Sequence, residues 1–409
     1  MPYLNYTSWA LLLSAGILGA SAIGLFALGK TKISVYTLVA ASFLIALFFA
    51  QVDPFLYEWD EQFHALVSKH MLAHMLKPTL YETPILNYNY GIWTENHIWL
   101  HKQPLFMWQM AISQFFFGQT AFAIRFPDVV LHAILTFLIF DIGKIIKNEA
   151  VGFLAALFFT FLIFPLNLIS GIAMLDHNDF TFMFYITASF WAYVKHQQTK
   201  KLSWAILAGV FVGCAILIKW LPGLLIYLCW FFALAYQNKN IKKILAGSKP
   251  IIVSVLVACA VFIPWQLYCY THYPTEYQYE VGYNSTHITQ AVENHTGTWA
   301  FHFNAMYKLY GSGELVPYII LLSFLFFLYN KTIAPTHKIL IATAIVFVYL
   351  FYTIVQTKMV AFTVIVLPLV IIVLANFIST IISLIKNKRV HSLVFALSAT
   401  VISFILLSR

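Results

Sequence analysis

Runs of apolar residues dominate the chain, and polar residues are confined to short stretches between them. A helix needs about 17 to 25 mostly apolar residues to cross a bilayer. Runs near this length predict twelve crossings, at 9–28, 34–52, 127–143, 150–169, 178–194, 203–218, 221–236, 251–269, 314–330, 339–355, 359–384 and 391–408. The pattern therefore predicts an all-α polytopic membrane protein.

One further apolar run, 104–124, is interrupted by Gly118, Gln119 and Thr120. Irregular backbone within a bilayer is tolerated only where protein or water covers it. We therefore interpret this run as a re-entrant pair or two short helices, which gives a bundle of about 12–13 membrane helices. No linker or internal repeat divides the sequence, so we expect one domain over 1–409 with long loops at 53–103 and 270–313.

Composition and charge support this class. Hydrophobic residues make up 61% of the chain, mean hydropathy is +0.81, and the net charge is +9. Most lysines lie in clusters that alternating crossings place on one side, which the positive-inside rule assigns to the cytoplasm. Nearly every acid and both long loops then face the opposite side. This distribution explains the positive charge without nucleic acid, and the four cysteines show no metal-type spacing.

Four cations depart from the positive-inside pattern. Lys102, Arg125, Lys219 and Lys358 each lie at the predicted extracytoplasmic end of an apolar run. Because charge at membrane depth is costly, such residues are usually functional. A shared anion would explain all four, and the alternative is that each snorkels to lipid headgroups or pairs with a nearby acid.

The first long loop begins with Asp60 and Glu61. Apolar residues recur at helical spacing over residues 60–76, whereas Asp60, His64 and Ser68 share another face. We therefore predict an amphipathic helix that lies in the membrane interface and points its acids towards the membrane. The carboxylates suit a general base, and Asp60 alone could also serve as a helix cap.

Two other polar groups are ambiguous. Asp176 and Asp179 lie in a short turn between predicted crossings, where polar residues are expected in any case. His101, with the loop histidines 287, 295 and 302, fits no metal-ligand spacing. A divalent metal therefore stays an open question, and no cofactor is predicted with certainty.

Seven short motifs follow one another along the chain: Asp60-Glu61-x-x-His64-Ala65, Lys102-x-Pro104-Leu105-x-x-Trp108, Arg125-Phe126-Pro127, Leu175-Asp176, Ile218-Lys219-x-x-Pro222-Gly223, His295-x-x-x-Trp299 and Thr357-Lys358 with Leu367-Pro368. Together they resemble the bacterial protein O-mannosyltransferase and aminoarabinose transferase group of GT-C glycosyltransferases. The resemblance covers nearly the whole chain.

Three positions differ from the pattern of this group. His64 replaces the usual tyrosine, Gln103 replaces the first proline after Lys102, and His101 replaces the usual acid before it. The first apolar run, 9–28, looks like an addition before the group's own first helix. Contacts with donor or acceptor are therefore expected to differ, while the catalytic motifs are retained.

The resemblance implies an inverting transferase that takes a sugar from a polyprenyl-phosphate donor on the extracytoplasmic face of a bacterial inner membrane. Asp60 would be the general base, with Glu61 beside it. The substrate-binding residues would be Lys102, Arg125, Asp176, Lys219, His295, Lys358 and His64. Acceptors of this kind include lipid A, envelope glycans, cell-wall polymers and exported proteins, and membrane lipids would be further partners.

Two other functional classes stay open from the sequence. A secondary transporter or flippase of lipid-linked or small anionic substrates would also combine many crossings with intramembrane charge. A transporter should, however, have helix breaks or charges at the membrane midplane, and its two halves should be related by an internal repeat. The second class is a non-catalytic scaffold for envelope assembly.

Overall fold

The computed structural model describes residues 6–172, 177–385 and 394–402. Its α-helices are α1 (Tyr6–Ala27), α2 (Thr31–Ala50), α3 (Asp60–Met71), α4 (Leu105–Phe117), α5 (Ala121–Ile146), α6 (Glu149–Thr160), α7 (Ile163–Ser170), α8 (Asn178–Thr199), α9 (Leu202–Lys219), α10 (Leu225–Gln237), α11 (Ile241–Gly247), α12 (Lys249–His272), α13 (Pro274–Thr289), α14 (Phe301–Asn304), α15 (Met306–Tyr310), α16 (Val316–Tyr329), α17 (Pro335–Ile354) and α18 (Leu367–Ser383). Shorter 3-10 turns occupy Trp93–Glu95, Leu221–Leu224, Val292–Asn294 and Val360–Val366. Residues 394–402 are also helical.

The predicted all-α polytopic fold is confirmed. Among the described residues, seven helical segments are long and apolar enough to cross a membrane: α1, α2, α5, α9, α12, α17 and the segment 360–383. The predicted crossing at 150–169 is instead a pair, α6 and α7, bent by 41°. The apolar helices α10 and α16 have only 13 and 14 residues, so they span about 20 Å at 1.5 Å per residue. The last predicted crossing, 391–408, lies partly outside the described residues.

The interrupted run at 104–124 forms two helices. α4 ends at Phe117, and Gly118 adopts φ +75°. The side chain of Thr120 then caps α5 by accepting a hydrogen bond from Ala123 N at 3.1 Å, an ordinary helix start. The second helix is longer than predicted because α5 continues without a break into the run expected at 127–143.

The helices at the centre of the bundle bury mostly apolar residues on every face. Every residue from Val151 to Thr160 of α6 is buried, and most of α5, α8 and α18 is buried with it. A helix that is hydrophobic all round belongs in such a position. α1 and α12 lie at the periphery, where side chains such as Leu13 and Leu256 stay exposed at 66% and 64%. Lipid contact accounts for these exposed apolar residues.

Polar contacts mark two ends of the bundle. At one end, Thr31 Oγ1 donates to Glu149 Oε2 at 2.8 Å, and Lys195 Nζ lies 2.5 Å from Asp141 Oδ2. At the other end the two long loops meet, because Trp93 Nε1 donates to Glu293 Oε1 at 2.7 Å. We call this second end, formed by residues 51–104 and 273–315, the site end.

Arg125, in the first turns of α5, organises the site end. Its Nε donates to Glu61 Oε1 at 2.7 Å, and its Nη2 donates to Glu61 Oε2 at 2.9 Å. The remaining donors bind the carbonyl oxygens of Asp53 at 2.5 Å and Phe55 at 2.8 Å, with a longer contact to Ala50 O at 3.4 Å. One buried guanidinium therefore joins the end of α2, the following loop and the start of α3.

Glu61 is ionised by this arrangement. Burial alone would raise the pKa of its carboxyl group, but the hydrogen bonds and positive charge of Arg125 lower the pKa below its ordinary value. The backbone N–H of Tyr57 adds a hydrogen bond to Oε2 at 2.7 Å. Removing one partner from such a buried pair typically costs about 3–5 kcal/mol, because the other charge is left uncompensated.

The prediction of an interfacial helix over 60–76 is partly wrong. A helix is present, but it ends at Met71, and its polar side chains His64 and Ser68 are buried. Gln114 Nε2 of α4 donates to Ser68 Oγ at 2.7 Å. The hydrophilic face therefore packs against another polar group inside the protein, which the periodicity of α3 alone could not reveal.

A stability prediction follows from Gly171, at the end of α7. Gly171 and Gly29 both have positive φ, +67° and +75°. A methyl group at Gly171 would lie 2.3 Å from Arg125 Nη2 and 2.7 Å from Glu61 Oε2, whereas one at Gly29 would meet no atom within 4 Å. Both alanine variants lose about 1–2 kcal/mol to the left-handed backbone. Gly171→Ala should lower the Tm of the purified protein clearly more than Gly29→Ala, and equal losses would contradict the steric role of Gly171.

Candidate active site

Asp60 and Lys102 face each other at the site end. Asp60 is the first residue of α3, where the helix dipole favours a carboxylate, and Lys102 lies just before α4. Lys102 Nζ is 4.0 Å from Asp60 Oδ1, and the two side chains are 18% and 22% exposed. Gln266 Nε2 of α12 donates to Gln103 Oε1 at 2.8 Å and so fixes the segment beside Lys102. The structure therefore brings together the predicted base and the first predicted cation.

His64 lies one helical turn beyond Asp60. Its Nδ1 is 3.3 Å from His177 Nε2, and its ring packs against Phe106 at 4.8 Å and Trp99 at 5.6 Å between centroids. Neither histidine is exposed beyond 4%. Asp176, the predicted second acidic position, lies outside the described residues. His177, the residue that follows it, contacts α3 through His64.

Lys219 is paired with the acid of the same turn. Its Nζ is 2.5 Å from Asp179 Oδ1, and the lysine side chain is 26% exposed while Asp179 is only 2% exposed. The ammonium group also lies 5.6 Å from the centre of the Phe362 ring, within the range of a cation–π contact. Lys219 is therefore the second predicted cation with an accessible side chain.

Lys358 caps the end of α17. Its Nζ donates to the carbonyl oxygens of Tyr352, Thr353 and Val355 at 2.9, 2.6 and 2.5 Å. A cation at the C-terminus of a helix satisfies carbonyl groups that lack helical partners. The backbone N–H of Lys358 donates to His295 O at 2.8 Å. The side chain of Lys358 is therefore committed to backbone groups, and it holds the second loop through His295.

Contacts link several of the described site residues around the site end, and we call this set of linked residues the ring. From Lys219 the ring passes through Phe362 to Tyr352, whose rings are 4.8 Å apart, and on to Lys358 and His295. It continues through three further residues to His101, the neighbour of Lys102: His295 Nε2 is 3.9 Å from Glu293, Glu293 accepts from Trp93, and Trp93 stacks on His101 at 4.4 Å. Residues predicted from motifs far apart in sequence thus lie at one end of one bundle.

Each of the four exceptional cations has a partner within the protein. Lys102 faces Asp60, Arg125 binds Glu61, Lys219 binds Asp179, and Lys358 binds carbonyl oxygens. Pairing with nearby groups, which the sequence left open, is therefore sufficient to explain why these charges are tolerated. Which of these cations can also contact a bound anion depends on the exposure of its side chain and on the distance to its partner.

Several residues of the ring were missed by sequence reasoning. Trp93, Glu280 and Glu293 lie in the loops without a local pattern, yet His101 Nδ1 is 3.3 Å from Glu280 Oε2 and Trp93 binds Glu293. The abundance of aromatic residues in both loops was the only sequence feature that pointed to contacts between them. Within residues 6–172, 177–385 and 394–402, no three His, Cys, Asp or Glu side chains are grouped as metal ligands.

Comparison with known sequences identifies relatives of one kind. Residues 101–268 match the family described as dolichyl-phosphate-mannose-protein mannosyltransferase. An undecaprenyl phosphate-alpha-4-amino-4-deoxy-L-arabinose arabinosyl transferase of Proteus mirabilis is 28% identical over 246 residues, which cover 56% of this chain and 39% of the relative. The corresponding protein of Yersinia enterocolitica is 25% identical over 239 residues, with coverage of 55% and 39%. The chain thus spans well under half the length of these relatives.

Solved structures share the same architecture over most of the chain. ArnT from Cupriavidus metallidurans, bound to undecaprenyl phosphate, matches with a TM-score of 0.60 and 15% identity over 90% of this chain and 70% of its own. This chain has a GT-C fold. The archaeal oligosaccharyltransferase AglB from Archaeoglobus fulgidus, in complex with an inhibitory peptide and a dolichol-phosphate, matches with a TM-score of 0.58 and 10% identity over 92% and 55%. The resemblance inferred from the seven motifs is therefore confirmed, and the ring of contacts lies at one end of a GT-C bundle.

Proposed function

We propose that this GT-C protein is an inverting glycosyltransferase that moves a sugar from a polyprenyl-phosphate donor to an acceptor. The observation that supports this most directly is the facing pair of Asp60 and Lys102, 4.0 Å apart and both partly exposed. A carboxylate can take a proton from an acceptor, and an ammonium group can stabilise a phosphate. The pair therefore supplies both functions that the reaction requires of the protein.

In the proposed reaction the acceptor hydroxyl attacks the anomeric carbon of the sugar. Asp60 takes the hydroxyl proton as the new carbon–oxygen bond forms. The bond between the anomeric carbon and the phosphate oxygen breaks on the opposite side, so the configuration inverts and the polyprenyl phosphate leaves with its electron pair. Lys102 stabilises the negative charge that develops on the leaving phosphate, where fixed charges in a partly dry site contribute most. A phosphate leaves without protonation, so no general acid is needed.

The remaining predicted residues divide into two groups under this proposal. Lys219 keeps 26% of its side chain exposed, so it is the second cation available to the donor phosphate. Arg125 and Lys358 position other groups, because their donors are engaged by Glu61 and by backbone carbonyls. Glu61 is the ionised partner of Arg125 and orients the start of α3. Direct substrate contact is thus proposed for Asp60, Lys102 and Lys219.

The donor class follows from the relatives and the solved structures. The relative from Proteus mirabilis is named for an undecaprenyl phosphate-linked amino sugar, and ArnT from Cupriavidus metallidurans was solved with undecaprenyl phosphate. We extend the polyprenyl carrier to this chain. A lipid, a glycan or an exported protein then serves as acceptor in the bacterial inner membrane, with the site end on the extracytoplasmic face.

Cysteine labelling tests the orientation of the site end. Asn87 lies in the first loop, at the site end. Lys200 directly follows α8, at the opposite end of the bundle, and both residues are exposed. In a variant whose native cysteines are replaced, Asn87→Cys should react in intact spheroplasts with a membrane-impermeant maleimide. Lys200→Cys should react only after the membrane is permeabilised. The reverse pattern would place the site end in the cytoplasm.

The second test concerns Asp60. Asp60→Asn should abolish transfer, by about 10²-fold or more, because a carboxamide cannot take the acceptor's proton. Envelope glycolipids and glycoproteins should be compared by mass spectrometry from cells with the parent gene, without it, and with the variant. The sugar lost in the absence of the gene should also be lost with Asp60→Asn at normal protein levels. Near-normal transfer by the variant would remove Asp60 as the base.

The third test concerns Lys102. Lys102→Ala should reduce use of the polyprenyl-phosphate sugar by about 10- to 100-fold, as expected for a lost charge-assisted hydrogen bond. Lys102→Arg should restore activity only in part, because the guanidinium has a different geometry. The loss should be equal with every acceptor, since the carrier phosphate is common to all of them. A loss confined to one acceptor would assign Lys102 to the acceptor instead.

A further inference from the structure

Glu293 is an acid of the second loop whose carboxylate contacts the first loop. Trp93 Nε1 and Tyr283 OH both donate to its Oε1, at 2.7 and 2.9 Å. Its Oε2 accepts no hydrogen bond from the residues that the structure describes, and His295 Nε2 lies 3.9 Å from it. The side chain is 37% exposed. One oxygen is therefore fixed within the protein while the other faces outward.

The backbone around Glu293 is strained. Glu293 and the following residue, Asn294, have φ values of +54° and +60°. Non-glycine residues in this region cost about 1–3 kcal/mol each and persist only where the surroundings hold them, often at ligand sites. Here Val292 N donates to Thr357 Oγ1 at 3.1 Å, and Lys358 N donates to His295 O at 2.8 Å. The turn is thus clamped on both sides of Glu293.

Glu293 lies one aromatic ring away from the proposed reaction centre. Trp93 is in edge contact with Trp59, the neighbour of Asp60, at 5.6 Å, and it stacks on His101, the neighbour of Lys102, at 4.4 Å. Burial raises the pKa of the Glu293 carboxyl group, but the hydrogen bonds from Trp93 and Tyr283 and the nearby charges of His101 and Lys102 lower it overall. Glu293 therefore presents an anionic acceptor beside the pair of base and cation.

A purely structural role would explain only part of this arrangement. To join the two loops, Oε1 alone is sufficient, since it accepts both hydrogen bonds. That role explains neither why Oε2 accepts no hydrogen bond nor why the backbone of Glu293 and Asn294 is strained. A sugar ring, by contrast, offers hydroxyl or amino donors around its edge and apolar C–H faces that pack on aromatic rings. Exposed Trp59, at 48%, supplies such a surface next to Glu293's partner Trp93.

We propose that Oε2 of Glu293 accepts a hydrogen bond from a hydroxyl or amino group of the donor sugar, so that Glu293 selects which sugar the protein uses. This inference rests on the proposed function, because it takes the sugar of a polyprenyl-phosphate donor as the ligand. Sites built to bind a substrate hydroxyl discriminate strongly against analogues that lack it, since a polar group is then left unpaired. Lys102 binds the carrier phosphate, which is common to all donors, and Glu293 contacts the sugar, which differs between donors.

Glu293→Gln separates the two roles. The amide oxygen of glutamine can still accept from Trp93 and Tyr283, so the contact between the loops is kept. The amide nitrogen that replaces Oε2 can only donate. Glu82→Gln is a matched control, because Glu82 is a 66% exposed acid of the first loop whose partner within 4 Å is His70. Equal Tm values for the parent and both variants confirm that the fold is unchanged.

The experiment measures binding of two probe types to the full-length protein in nanodiscs. One probe is undecaprenyl phosphate, and the other is a panel of undecaprenyl-phosphate-linked neutral and amino pentoses and hexoses. We expect Glu293→Gln to bind the bare carrier like the parent, but to bind the sugar-linked lipid that the parent prefers about 10- to 100-fold more weakly. Lys102→Ala should weaken binding of both probes. A loss restricted to amino sugars identifies the bound group as an amine, and a loss with neutral sugars identifies a hydroxyl.

Three outcomes would overturn the inference. If Glu293→Gln weakens the bare carrier as much as the sugar-linked lipids, Glu293 acts on the phosphate site or on folding. If the parent discriminates among the sugars and Glu293→Gln discriminates equally, Glu293 does not contact the sugar, while the proposed function stands. If the parent binds no sugar-linked lipid differently from the bare carrier, the proposed function fails together with this inference.

Discussion

The buried pair of Glu61 and Arg125 is the constraint on which the site end depends. An ionised group taken out of water is tolerated only when its charge and hydrogen-bonding capacity are met, and Arg125 meets this demand by binding Glu61 and three carbonyl oxygens of residues 50–55. The direction in which α3 leaves the loop is set by that geometry. Asp60 adjoins Glu61 in sequence but is partly exposed. Two neighbouring acids thus occupy different environments, because Glu61 is buried and Asp60 is partly exposed.

The distances around the ring distinguish its cations. Arg125 and Lys219 lie 2.7 and 2.5 Å from their carboxylate partners, whereas Lys102 lies 4.0 Å from Asp60. Attraction between opposite charges weakens with separation and with access to water, so the pair of Lys102 and Asp60 is held together less strongly than the pair of Arg125 and Glu61. The buried Arg125 holds α3 and α5 together through Glu61.

The fold was largely predictable from the sequence because apolar run length is a local property. The break at 118–120 could be read from Gly118. The bend between α6 and α7 lies inside the apolar run 150–169 and was not predicted, although Pro165, which disfavours helix at Phe161 four residues earlier, is a signal for it. The motifs identified the residues around Lys102 and Asp60, but not the partners of Arg125 or the buried face of α3. Those depend on contacts between distant segments. Trp93 and Glu293, for example, are separated by 200 positions, and no spacing rule relates them.

This separation has a consequence for biosynthesis. At about 5–20 residues per second, a ribosome needs roughly 10 to 40 s to add the 200 residues between Trp93 and Glu293. The Glu61–Arg125 pair spans only 64 positions. It can therefore form before the second loop, which the first loop contacts, has been synthesised. During that interval the rings of Trp59, Trp93 and Trp99 lack the second loop. The contact between the two loops at the site end is therefore completed late, after most of the helices have entered the membrane.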